Sequence, residues 1–230
     1  TDQDRMLQVD LCGGQVRVML CETTRTAQRC ADIHGCTPVC TAALGRLMTG
    51  TAMLGIMMKG EKESVTVTIK GDGPMGTLMA IADHGRVRAY ADDPKVELPP
   101  RADGKLDVGG AVGRHGRMSV IKDLGLRENY IGQSELVSGE IAMDFAQYFT
   151  VSEQQPSLVA LGVLVNGETV LKAGGLLLQC LRDDVIHVSF TQRLLKAFFT
   201  RRVDALTDHV HAMHFHKAVC RAYAEALLYR

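Results

Sequence analysis

Residues 209–220, HVHAMHFHKAVC, place four histidines and a cysteine within twelve positions. Imidazole and thiolate are the side chains that bind zinc most readily, so the first chemistry to test is metal binding. The spacing does not favour it. Among His209, His211, His214, His216 and Cys220, only a few pairs fall on one helix face, and His216 with Cys220, four apart, is the best placed. Two ligands do not close the tetrahedron of a structural zinc site. The stretch reads as the polar end of a linker.

The remaining thiols are Cys12, Cys21, Cys30, Cys36, Cys40 and Cys180, which make seven with Cys220. An odd number at irregular spacing is not a secreted disulfide framework, and no pair is spaced C-x-C or C-x-x-C. Cys12 to Cys40 are expected to be small buried hydrophobes rather than working thiols.

Other motifs lead away from catalysis. GDGPMG (71–76) satisfies G-x-G-x-x-G and follows a strand-like segment. A dinucleotide fingerprint, however, must open a helix. Here Pro74 interrupts the loop and TLMAIAD reads as another strand, so a tight turn between strands is expected. No G-x-S-x-G occurs, and Ser119, Ser138 and Ser157 lack the context of a nucleophile. The pairs Asp92-Asp93 and Asp183-Asp184 fall in loops or at a helix start, where solvation is the ordinary fate of a carboxylate. These residues describe a protein that is not an enzyme. The alternative is a small-molecule enzyme or ligand-binding protein built on the GDGPMG turn with Asp72, Asp92 and Asp93.

The whole chain sets the frame. Its 230 residues can bury a large core, with 46% hydrophobic and 23% charged residues. Lys and Arg total 26 against 26 Asp and Glu, and this balance argues against a dedicated nucleic-acid binder. No apolar run approaches the roughly 18–20 residues of a membrane span. TDQDRMLQVD lacks the pattern of a signal peptide, so the cytoplasm is the expected location.

The elements that must position any site alternate between helix and strand. QVRVMLC (15–21) reads as a strand, and TRTAQRCADIHG (24–35) as a helix ended by Gly35. Thr37-Pro38 opens a second helix to about Lys59, rich in methionine, with Gly45, Gly50 and Gly55 every five residues for close packing against a sheet. SVTVTIK (64–70) puts Val65, Val67 and Ile69 on one face. GTLMAIAD, RVRAYAD, GRMSVIKD and ENYIGQSEL follow as strands. Residues 137–154 read as a helix capped by Ser138, with Ile141, Phe145 and Phe149 in one stripe. Two strands then meet at an Asn166-Gly167 turn. The reading is an α+β body over residues 1–180, a mixed β-sheet core with packed helices, and an amphipathic helical linker over 181–230. Two apolar surfaces are candidates for binding: the methionine helix, through Met53 and Met57, and the tail, through Leu194, Leu195, Phe198 and Phe199. The methionines also suit a plain core. If the tail lies over an apolar face of the body, its release exposes both surfaces.

Four stretches carry a resemblance: TAALGRLMTGTAMLGIMMKG, IKGDGPMG, the long run from VIKDLGLRENYIGQSELVSGEIAMDF through AQYFTVSEQQPSLVALGVLV, and AGGLLLQ. In this order, over residues 1 to about 180, the sequence resembles the 33 kDa chaperonin family of redox-regulated heat-shock holdases. The resemblance implies a homodimeric chaperone that binds unfolded or partly unfolded clients without ATP or other nucleotide. It also implies a zinc module of four cysteines, one C-x-C and one C-x-x-C pair. Peroxide or hypochlorous acid converts that module to two disulfides, releasing the metal and unfolding the linker. The chain departs from the pattern, since it holds neither pair and has a mass of 25.0 kDa. HFHKAVCRAYAEALL resembles the region around the family's C-x-C pair, so Cys220 corresponds at most to one of four zinc cysteines and is the candidate redox thiol. The chain is cut before the module, lacks intervening stretches, or belongs to a lineage that lost the site.

Overall fold

The computed structural model describes residues 4–181 except 12, 59, 61, 62, 84 and 156. The elements run β1 (Arg5–Leu11), β2 (Val16–Glu22), α1 (Thr24–His34), α2 (Pro38–Met57), β3 (Ser64–Gly71), β4 (Thr77–Asp83) and β5 (Arg86–Ala91). They continue as α3 (Val108–Val112), β6 (Gly116–Asp123), β7 (Tyr130–Glu135), α4 (Ala142–Val151), β8 (Ser157–Asn166) and β9 (Thr169–Cys180). The α+β class is as expected. Two antiparallel sheets form, a four-stranded one in the order β1-β2-β9-β8 and a five-stranded one in the order β5-β4-β3-β6-β7.

Helix α2 packs against strands of both sheets and, Arg46 apart, carries no charged residue on any side. Leu44, Leu47, Met48, Met53 and Leu54 are each no more than 2% exposed. Full burial of such side chains stabilises a fold by about 1.5–3 kcal/mol apiece. A Cβ on Gly45 would press on Val163 of β8, one on Gly50 on Phe145 of α4, and one on Gly55 on Ala82 of β4. The five-residue spacing therefore serves close contacts in several directions, not with one sheet alone. By length and composition α2 could also cross a membrane, which the sequence reading did not anticipate, but most of it is buried between the sheets as a core helix.

Local signals account for the ends. Gly35 stops α1 with φ +57°. Pro38 opens α2, where its missing N–H leaves no bond unmade, and Thr37 Oγ1 donates to the Val96 carbonyl at 2.5 Å. In β3, Val65, Val67 and Ile69 are wholly buried, while Thr66, Thr68 and Lys70 face outward. The Asn166-Gly167 turn joins β8 and β9, with Gly167 at φ +59°.

One expected helix changes, and two further elements are present. The helix placed over 137–154 begins at Ala142, and Ser138 is not its cap. Gly139 and Ile141, at φ +69° and +71°, hold the preceding segment as a turn. That turn is gathered by the buried Asp144, whose carboxylate accepts from the N–H groups of Val137, Ser138 and Ile141 at 2.8–3.0 Å. Ser138 Oγ accepts instead from Glu140 N–H at 3.1 Å. Strand β1 and the short helix α3 were not foreseen. β1 owes its existence to pairing with β2, and α3, rich in glycine, is held by Asp107 accepting from Gly110 N–H at 3.0 Å.

Candidate functional site

Strand β9 has apolar side chains on both faces. Leu177 points toward the helices and joins the main core with Met19, Cys21, Val159 and Leu161. Leu176 and Leu178 point the other way. In register with them lie Leu20 and Val18 of β2, Leu158 and Ala160 of β8, and, across β2, Leu7 and Val9 of β1. The outer face of the four-stranded sheet is thus a continuous apolar field. Its centre is buried: Val16 0%, Val18 2%, Leu176 1%, Leu178 3% and Leu158 4% exposed. These residues lie outside the main core, and the described helices pack on the opposite side of the sheet. The rim is open, with Leu7 50% exposed. Sequence reasoning missed this field. The available signal was GGLLLQ, three consecutive leucines in a strand, which requires apolar cover on both faces.

The thiols of the body are not arranged for reaction. Cys21, Cys30 and Cys40 are buried and Cys36 is half-buried, all of them free. Burial pushes the Cys21 and Cys30 thiols up to about 12 and Cys36 up to about 11, with neighbouring acidic groups and thiols adding to the effect. Cys40 is raised by burial as well, although hydrogen bonds with Thr37 and the Val96 backbone oppose the shift. A thiol held protonated is a poor nucleophile and a poor ligand. This agrees with the expectation of small buried hydrophobes for Cys21, Cys30 and Cys40, while Cys12 lies outside the described residues. No group of three or more His, Cys, Asp or Glu among the described residues is placed to hold a metal. They therefore do not fit the zinc that the resemblance implies.

GDGPMG forms the tight turn between β3 and β4. Its glycines serve backbone contact: a Cβ on Gly73 would lie 2.5 Å from Gly113 N and from Val112 C. Gly73 N–H donates to Val112 O at 3.1 Å and Met75 N–H to Ala111 O at 3.0 Å. The carboxylates of the ligand-binding alternative tie loops together. Asp72 accepts from the N–H groups of His115 and Arg114, Asp92 from Thr77 and Asp93 from Lys95, at 2.7–3.1 Å. Those bonds, from His115 first for Asp72 and from Thr77 first for Asp92, hold both carboxyls below their usual range. The turn borders an open cleft of about 620 Å³ lined by Lys70, Asp72, Arg114, Arg117 and Glu135 among others.

Of the candidate client residues, Met53 is 2% exposed in the core and Met57 is partly buried against it. In this conformation Met53 offers no surface to a client. Leu194, Leu195, Phe198, Phe199 and Cys220, with the histidine stretch, lie outside the described residues.

The family model described as Hsp33 protein matches residues 4–230. The 33 kDa chaperonin of Clostridioides difficile (strain 630) is 48% identical over 182 residues, covering 79% of this chain and 62% of the relative. That of Caldanaerobacter subterraneus subsp. tengcongensis is 53% identical over 160 residues, 69% of this chain and 54% of the relative. The crystal structure of the 33 kDa chaperonin (heat shock protein 33 homolog) from Thermotoga maritima superimposes with a TM-score of 0.82 at 32% identity, over 93% of this chain and 73% of that one. The chain thus spans about 62% of the length of curated relatives such as the Clostridioides difficile protein.

Proposed function

The chain belongs to the Hsp33 family, and from that premise we propose that it works as a redox-regulated, ATP-independent holdase, a non-enzymatic chaperone that keeps unfolding proteins from aggregating. The supporting observation is the apolar outer face of the four-stranded sheet, centred on Val18, Leu176 and Leu178. An apolar field of that extent binds apolar client segments with little sequence preference, provided it can be uncovered. Residues 182–230 follow directly from β9 and carry Leu194, Leu195, Phe198 and Phe199. A client segment that meets both that face and these side chains is held on two apolar surfaces.

Control by oxidation falls on thiols beyond the buried set. The protonated Cys21 and Cys30 react slowly with peroxide, and Cys220 is the thiol carried by residues 182–230. The working form is a homodimer in the cytoplasm, and its partners are unfolded or partly unfolded proteins, not nucleic acid or membrane.

The test is light scattering from a thermally unfolding client without ATP, using this chain reduced and then peroxide-treated. Suppression after oxidation alone, lost in Cys220→Ser, supports the switch. Equal suppression in both states removes redox control and leaves an unlocked holdase. If the client aggregates unhindered in both, the chaperone reading fails for this chain.

A further inference from the structure

Strand β8 is an outer strand of its sheet, pairing among the described residues with β9 alone. Its ten residues, SLVALGVLVN, include no charge and no proline. Such an edge presents unpaired N–H and C=O groups to any extended chain, and proteins usually blunt their edges with charge, proline or brevity. The other three outer strands follow that rule. β1 carries Arg5 and Asp10, β5 has six residues including Arg86 and Arg88, and β7 has six ending in Glu135. β8 has only a register shift between Leu164 and Val165. Its second half is open to solvent: Gly162, Leu164 and Asn166 are exposed, Leu164 at 58%, and a Cβ on Gly162 would meet nothing within 4 Å.

We propose that the edge of β8 over residues 161–166 receives an extended, uncharged, apolar segment of an unfolding polypeptide as an added strand. Backbone pairing reads no particular side chain, so it accepts many sequences while orienting each one. Without charge, β8 neither selects nor repels by electrostatics. Leu158 and Ala160 stand in register with Leu178 and Leu176, so the outer apolar face reaches β8. Alternate side chains of an added strand extend that face, and the segment gains apolar contact as well as hydrogen bonds. A second copy could offer the same backbone groups. A pairing confined to this short open stretch falls well below the roughly 800 Å² per partner of a stable interface. The identity of the occupant rests on the holdase reading; the openness of the edge does not.

The experiment uses a fluorescein-labelled peptide of alternating valine and threonine, and a twin with every second amide N-methylated. The twin keeps the side chains and loses the donors of one edge. Anisotropy with the full 230-residue chain, reduced and peroxide-treated, should show the twin binding about tenfold more weakly, the scale of a few lost hydrogen bonds. Leu164→Lys, a charge on an exposed position, should weaken the unmodified peptide about tenfold, and Leu164→Thr should change it by less than about twofold. Equal affinity of the twins, or no binding by either, overturns the proposal. If Leu164→Lys dissociates a dimer and leaves peptide affinity unchanged, the edge belongs to a second copy and the proposal also falls. Discrimination between the twins without suppression of client aggregation leaves the edge site standing and sinks the holdase reading. Suppression without discrimination does the reverse.

Discussion

Gly50, in the middle of α2, lies against the ring of Phe145 so closely that a Cβ on the glycine would stand 2.6 Å from the ring Cζ. The contact joins the central helix to α4, and both residues are fully enclosed. Two effects compete on substitution. Alanine is favoured over glycine in a helix by about 1 kcal/mol, whereas overpacking a filled core costs about 1–3 kcal/mol. The ring is wholly buried, so overpacking wins. Gly50→Ala should lower the urea midpoint, and Gly50→Ala with Phe145→Leu should lose less than the sum of the two single changes. Strict additivity would mean that the ring moves aside freely.

Asp144 anchors the turn ahead of α4 through bonds of 2.8–3.0 Å to three backbone N–H groups, with Gly139 N–H at 3.4 Å as a fourth. Asparagine keeps the shape but turns an NH₂ group toward donors. Asp144→Asn should cost about 3 kcal/mol, as expected for buried donors left without acceptors around a lost charge. Amide exchange of Val137 to Ile141 should speed up more than that of β3. Unchanged protection in that segment would contradict the assignment.

The thiols predict an alkaline weakness. Unfolded cysteines titrate near 9.0, while folded Cys21 and Cys30 titrate near 12 and Cys36 near 11. Above pH 9.0 the unfolded chain therefore holds fewer thiol protons than the native one, and stability falls as pH rises. The stabilisation is fully present below pH 9.0 and drains away toward pH 12. Denaturation midpoints should show no thiol-dependent change below pH 9.0 and should decline above it, and Cys21→Ala with Cys30→Ala should flatten the decline. An identical slope in that variant would exclude the thiols as its source.

Glu153 joins α4 to the five-stranded sheet. It accepts from Lys122 Nζ at 2.7 Å and from the Tyr148 hydroxyl. Lys122 also lies 5.3 Å from the Tyr130 ring centroid. Burial, then the bond to Glu153, raises Tyr148 far above the usual phenol range. Glu153→Gln leaves a largely enclosed ammonium without its counter-ion, at about 1–3 kcal/mol. Lys122→Met with Glu153→Gln should recover part of the loss in a thermal melt. A double variant no better than the single ones would show that the two charges act apart.

Much of the body was legible because its cues are local. The alternation of Val65, Val67 and Ile69 demands a one-sided strand, Gly35 stops a helix, and Asn166-Gly167 closes a hairpin, each within a few residues. The tight-turn reading of GDGPMG came from Pro74 and the strand after it. The start of α4 was misplaced because Asp144 folds back on the segment ahead of it, and that competes with Ser138 as a cap. β1 escaped notice because RMLQVDL alternates weakly and depends on β2 for its hydrogen bonds.

The sequence by itself determined the α+β class, most of the elements and the family resemblance, since side-chain periodicity and turn chemistry act over short range. Only the tertiary structure decided that Met53 is core, that the second face of β9 extends across its sheet as one apolar field, and that β8 has an uncharged open edge. Those properties depend on which strands become neighbours. That choice is made by contacts between residues far apart in the chain, such as Leu20 with Leu176 and Gly50 with Phe145, which no local pattern encodes.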